Sequence, residues 1–314
     1  MEMRIAVQNT DLHLCPIGLG TVNAGIAWSG KDAEKIFDAY LDNGGNLIDS
    51  ARVYAAGKSE AVIGGWLKNS GKRDKVIIAT KGGHPKYESP EDDLHISRMS
   101  RADMRYDIEK SLEALGTDYI DIYFYHRDDL KQPVEEEIET MEDFRREGLI
   151  RYYACSNWTA ERIRKADRYC EEKGYRGFVA DQALLNLGSK YMNPLKDDTL
   201  ETIRGDLEQY HIENPGNLAM PYMGVASGFF HRYLTSGADS VKRSPYCTSE
   251  NIKIAEHCRE MMRAYNCTVT QAVLGFFSSR PFICLPLYGP KNEQQITEAL
   301  KTPYIKFDPS DYII

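Results

Sequence analysis

Four side chains suited to proton transfer at a carbonyl oxygen stand at or near the ends of three apolar runs. Asp49 falls near the end of NLIDSA (46–51), Lys81 closes VIIATK (76–81), His126 closes YIDIYFYH (119–126), and Tyr54 lies five residues beyond Asp49. A phenol with its ordinary pKa near ~10 is a poor acid or base at neutral pH, but a neighbouring cation stabilises phenolate and draws that value toward the working range. Lys81 can supply the cation. A lysine withdrawn from water needs a counter-charge to stay protonated, and Asp49 on the adjacent run can provide it. His126 would then orient the carbonyl oxygen by a hydrogen bond. The set suits hydride transfer coupled to proton donation by Tyr54. Taken singly, each residue has a plainer reading: Asp49 as a cap, Tyr54 as one of 20 tyrosines, Lys81 as a surface lysine, His126 as a structural histidine. Their joint occurrence carries the argument. Neither H-x-H nor H-E-x-x-H occurs, so no metal is expected, and G-x-S-x-G of a nucleophilic hydrolase is missing.

Such residues need a scaffold that brings distant run ends together. After a short candidate hairpin (RIAV, then LHLC), eight β-type runs alternate with helical stretches: PIGLGT (16–21), the three above, IRYYACSN (150–157), FVADQALL (178–185), LAMPYM (218–223) and ICLPLYG (283–289). KDAEKIFDAYLDNGG shows helical apolar spacing with a glycine stop, and SRADMRYDIEKSLEALG opens with a capping signature, Ser100 then Asp103. Right-handed crossovers accommodate eight such units most simply as a single-domain (β/α)8 TIM barrel with a short N-terminal β-hairpin, spanning residues 1–314. A Rossmann domain is disfavoured, because Gly18-Leu19-Gly20 lacks the third glycine of G-x-G-x-x-G. Residues 195–216 read as a polar connection around a helix, DDTLETIRGDLEQY. Barrel chemistry sits at the C-terminal strand ends, where Thr21, Ser156, Asn157, Asp181, Gln182 and Tyr222 also fall. Trp28, Tyr87 and Trp158 follow the first, third and fifth runs and are candidates to line a substrate pocket. His84, His95 and His211 read as loop or surface residues.

The composition agrees with a soluble globule: 314 residues, 42% hydrophobic and 27% charged, with a net charge of -8 that opposes binding to nucleic acid. No run approaches the roughly 18 apolar residues of a membrane span, and the N-terminus has no apolar leader, so a cytoplasmic protein without a membrane partner is expected. The seven scattered cysteines read as free thiols. A homo-oligomer is compatible with the sequence.

In order, GLGT, NLIDSARVYAAGKSEAVIG, IIATK, DIYFYH, ACSNW, Gln182, PYMGVASGFF and LPLYGPKNEQQITEAL resemble the motifs of the aldo-keto reductases across nearly the whole chain. The resemblance implies a barrel that binds NAD(P)H without a Rossmann fold. Asp49, Tyr54, Lys81 and His126 would be its catalytic tetrad. Ser156, Asn157 and Gln182 would hold the nicotinamide carboxamide, Tyr222 would stack on the ring, and Gly20 and Thr21 would add contacts. Gly289, Lys291, Asn292, Gln295 and Glu298 match the block that binds the adenosine end. NADPH is the expected cofactor, with NADH as the alternative: Lys291 and Asn292 suit a 2′-phosphate, whereas Gln295 stands where some relatives carry Arg. The implied activity is reduction of an aldehyde or ketone to an alcohol, or the reverse, on a small molecule. A nucleotide-binding regulatory subunit of the same fold is the alternative.

Overall fold

The computed structural model describes residues 3–87, 89 and 91–313. Strands β1 (Ile5–Ala6) and β2 (His13–Leu14) pair antiparallel as the expected hairpin. Eight further strands lie parallel: β3 (Gly18–Gly20), β4 (Leu47–Asp49), β5 (Ile77–Gly82), β6 (Ile120–Tyr125), β7 (Ile150–Ser156), β8 (Ala180–Gln182), β9 (Leu218–Ala219) and β10 (Leu287–Tyr288). Each of these falls within one of the eight runs, apart from Gly82, one residue beyond VIIATK. Their order is β10-β3-β4-β5-β6-β7-β8-β9. The circle closes where Ala219 bridges Cys284 in parallel and the Leu285 amide donates to the Ala219 carbonyl at 2.9 Å.

Around the barrel lie α1 (Gly30–Asp42), α2 (Lys58–Ser70), α3 (Arg101–Leu115), α4 (Val134–Arg146), α5 (Ala160–Lys173), α6 (Asp206–Glu213), α7 (Phe229–Ser236), α8 (Ser249–Ala264), α9 (Val269–Leu274) and α10 (Glu293–Ala299). Ser100 caps α3 by accepting from the Asp103 amide, and Gly116, at φ 63°, ends the helix. The segment 197–210 is only partly helical. Gly205, at φ 56°, starts α6 late, and the residues before it form turns and bends, with Thr202 bridging Leu184.

Two cores follow from the two-residue period of the strands. Leu47, Ala79, Ile122, Phe124, Ala154, Leu218 and Leu287 fill the barrel, together with Val7, Leu12 and Leu14 of the hairpin region, which plug its lower end. Ile48, Ile78, Tyr123 and Cys155 point outward into the layer beneath the helices. The same alternation that puts Leu47, Ala79 and Phe124 inside puts Asp49, Lys81 and His126 inside as well, one pleat higher, at the C-terminal mouth.

Helices α2 and α3 approach closely at Gly64, where a Cβ would strike the Ala114 carbonyl oxygen and lie 2.9 Å from the Leu115 carbonyl carbon. Backbone cannot move aside as a side chain can. Gly64→Ala is expected to lower stability by about 1–3 kcal/mol, read as a shift in urea midpoint at unchanged slope.

Candidate active site

Lys81 Nζ donates to both carboxylate oxygens of Asp49, at 2.9 and 2.8 Å, and to the Ser50 carbonyl at 2.6 Å. Both side chains are buried, at 1% and 2% exposure, so the pair has little contact with water. Burial alone would depress the lysine, but the adjacent carboxylate more than offsets it and lifts Lys81 above its ordinary value. Gln182 Nε2 adds a third bond to the carboxylate, donating to Asp49 Oδ1 at 2.7 Å. The ammonium lies 5.1 Å from the centre of the half-buried Tyr54 ring.

Burial lifts the Tyr54 phenol above its ordinary value, Lys81 pulls it down, and Asp49 adds to the rise. The lysine therefore opposes the shift without reversing it. A phenol so placed is protonated at neutral pH. His126 sits edge-on to it, with ring centres 5.8 Å apart. Burial, followed by His84, Arg127 and Lys81, depresses His126 well below the ordinary imidazole value, so the ring is neutral. Its Nδ1 is buried without a hydrogen-bond partner among the described residues.

His84 is not a surface residue. It packs 4.7 Å from His126, ring centre to ring centre, with Nδ1 2.7 Å from the Pro85 carbonyl, and burial followed by Arg127 lowers its pKa to about 4. His211 is likewise buried, its Nε2 3.1 Å from Asp181. Asp181 thus serves the outer layer while Gln182, the next residue, serves the mouth.

A cavity of about 570 Å³ opens over this group, within the range that encloses organic ligands. The tetrad candidates line it, as do Gly20, Thr21, Ser156, Asn157, Gln182, Tyr222, Gly289, Lys291 and Gln295. Gly20 and Gly289 face each other closely, a Cβ on Gly289 lying 3.4 Å from the Gly20 carbonyl oxygen. Thr21 is fully buried, donating to the Asp49 carbonyl at 2.9 Å, so it braces β4 beneath the wall. Ser156 Oγ donates to the Gln182 carbonyl at 2.8 Å. Asn157, at φ 60°, donates from Nδ2 to Ser156 Oγ at 3.0 Å and accepts at Oδ1 from Tyr222 Oη at 2.6 Å and from the Glu201 amide at 3.2 Å.

Other candidates are placed away from the cavity. Asn292 caps α10, accepting from the Gln295 amide at 3.0 Å, and Glu298 accepts from Gln294 Nε2 at 3.1 Å along the same helix. Trp28 and Trp158 are core residues at 1% and 0% exposure. Trp158 turns beneath the mouth, stacks on Tyr125 and donates from Nε1 to the Arg127 carbonyl at 3.0 Å. Tyr87 is exposed and leans on His84, outside the cavity wall.

Sequence reasoning missed several wall residues. Arg127 donates to Thr199 Oγ1 at 2.9 Å and to Asp197 Oδ2 at 3.0 Å, tying the irregular segment after β8 to the mouth. His231 and Arg232, on α7, face the cavity beside a turn in which Met223, Ala226, Ser227 and Gly228 all have positive φ. A basic pair directly after SGFF was the available signal. The cavity wall thus carries cations able to meet an anionic group, Arg232 and Lys291, together with the hydroxyl and amide groups of Ser156, Asn157 and Gln182.

The model of the aldo/keto reductase family matches residues 16–313. The chain is 27% identical over 308 residues to a Bacillus subtilis (strain 168) protein named uncharacterized oxidoreductase YrpG, covering 95% of this chain and 90% of that one. It is 26% identical over 305 residues to norsolorinic acid reductase B of Aspergillus parasiticus, covering 91% and 76% respectively. Against aryl-alcohol dehydrogenase [NADP(+)] of Phanerodontia chrysosporium the identity is 31% over 195 residues, covering 58% and 50%.

Proposed function

The chain belongs to the aldo/keto reductase family, and we propose that it is an NADPH-dependent oxidoreductase that interconverts a small aldehyde or ketone and its alcohol in the cytoplasm. The observation that carries this reading is the buried Lys81–Asp49 ion pair beneath the Tyr54 ring, with the neutral His126 at its side. A bound nicotinamide supplies or accepts the hydride. Tyr54 donates the proton to the carbonyl oxygen in reduction and takes it back in oxidation. The Lys81 cation stabilises the phenolate left behind, and Asp49 keeps that cation charged in a site with little water. His126, being neutral, offers a hydrogen bond to the same oxygen without adding a second charge. Ser156, Asn157 and Gln182 would hold the carboxamide of the nicotinamide, and Tyr222 would offer its ring a flat surface.

Turnover of NADPH with a panel of aldehydes and ketones tests the reading. Nucleotide binding with no turnover across the panel would favour a regulatory subunit instead. For the adenosine end, Lys291 is exposed at the cavity wall, and its amide donates to Gln295 Oε1 at 2.8 Å, which ties the loop to α10. Lys291→Ala is expected to weaken NADPH by about 1–3 kcal/mol, the range for a charge-assisted contact, and to leave NADH nearly unchanged. Titration with both cofactors checks this. Equal losses would remove Lys291 as the 2′-phosphate ligand and turn attention to Arg232.

A further inference from the structure

The G-x-S-E stretch that follows Tyr54 has no part in the proton-transfer scheme, yet its carboxylate, Glu60, is wholly buried. Glu60 Oε1 accepts from Thr80 Oγ1 at 2.7 Å, and Oε2 accepts from Arg52 Nη1 at 3.2 Å. Thr80 immediately precedes Lys81 on β5, pointing outward where Lys81 points in. Arg52 stands two residues before Tyr54, and its amide donates to the Lys81 carbonyl at 3.0 Å.

The turn that carries Tyr54 needs such support. Ala55, Ala56 and Gly57 have φ of 50°, 55° and 85°, and left-handed backbone is disfavoured for alanine because its Cβ crowds the following carbonyl. The Arg52 guanidinium lies against Gly57, where any Cβ would collide with it. Glu60, near the start of α2, holds that guanidinium from behind.

We propose that Glu60 is a positioning residue: by joining Arg52, in the Tyr54 turn, to Thr80, beside Lys81, it fixes the separation of phenol and ammonium on which proton transfer depends. The inference rests on Tyr54 being the proton-transfer group. A purely structural ion pair between α2 and β5 would hold the fold without touching the acidity of Tyr54, and the two roles separate experimentally.

Glu60→Gln keeps the shape and removes the charge. With NADPH and whichever aldehyde the wild type turns over, kcat is expected to fall roughly 10- to 100-fold, as for a misplacement of about 1 Å. KM and NADPH affinity should stay within about threefold, because neither ligand loses a contact. The basic limb of the kcat profile should move upward, since a phenol further from its cation is a weaker acid. Arg52→Met and Thr80→Val each cut one of the two links and should shift the limb in the same direction, which keeps the test open if Glu60→Gln does not fold. Folded variants with lowered thermal midpoints but wild-type kcat and pH profile would overturn the proposal. Tyr54→Phe, run alongside, distinguishes the two levels: if it loses turnover while the Glu60 and Arg52 variants do not, only the positioning role falls. If it keeps turnover, the assignment of Tyr54 falls and this inference with it.

Discussion

Tyr54→Phe is expected to fold, to bind NADPH with wild-type affinity, and to lose about 10²–10⁴-fold in kcat, the usual size of a general acid/base contribution. The expectation of an intact fold has a structural basis. The Asp49–Lys81–Gln182 cluster is held by its own bonds at 2.7 to 2.9 Å, which do not pass through the hydroxyl. The ring that packs edge-on to His126 is retained. What disappears is the phenolic proton beside the cation. Because burial lifts the phenol above its ordinary value, wild-type reduction should hold its rate through neutral pH and decline only as alkaline pH removes that proton. The variant, having no such proton, should show a low rate without that alkaline decline. Steady-state rates from neutral to alkaline pH give both readouts, and turnover within twofold of wild type would sink the assignment.

The barrel was legible because its strands are buried on both faces and so read as unbroken apolar runs; β6 is buried at every position. Polar residues at the ends of those runs then stood out against the background, which is why Asp49, Lys81 and His126 could be chosen before any geometry. Direction was the harder matter. Alternation predicts where a side chain points only while the backbone stays extended, and Asn157, at φ 60°, breaks it, sending Trp158 down against Phe178 at 5.1 Å rather than into the mouth. Trp28 is similarly turned back by the loop that bridges it to Ala24. His84 follows Gly82 and Gly83, the latter at φ 78°, so its approach to His126 depends on a turn that residue types alone do not specify. Arg127 is not legible in the sequence because a single arginine carries no period, and the His231–Arg232 pair after SGFF gives a signal without a direction. Their importance comes from the loops that fold over the cavity.

Lys81→Met should separate what the ion pair does for the reaction from what it does for the fold. For the reaction, removing the cation leaves phenolate unsupported, so kcat should fall by about 10²-fold or more and the basic limb should move upward. For the fold, a buried carboxylate loses its partner. Asp49 keeps only the bond from Gln182, and breaking a buried pair in this way costs about 3–5 kcal/mol. The pH dependence of that cost has a definite sign. Burial already raises Asp49 above the unfolded carboxylate value near ~3.9, and loss of Lys81 removes the main opposing pull, so the folded variant holds more firmly a proton that the unfolded chain releases. Its stability relative to wild type is therefore greatest below that value and is lost as pH rises through the raised folded pKa. Urea midpoints at acid and neutral pH should show the two proteins converging under acid conditions. Adding Asp49→Asn to Lys81→Met removes the stranded charge and should recover much of the stability at neutral pH, while kcat stays low because the cation is still missing. Recovery of both together would mean that Lys81 acts on the reaction only by keeping the barrel mouth folded.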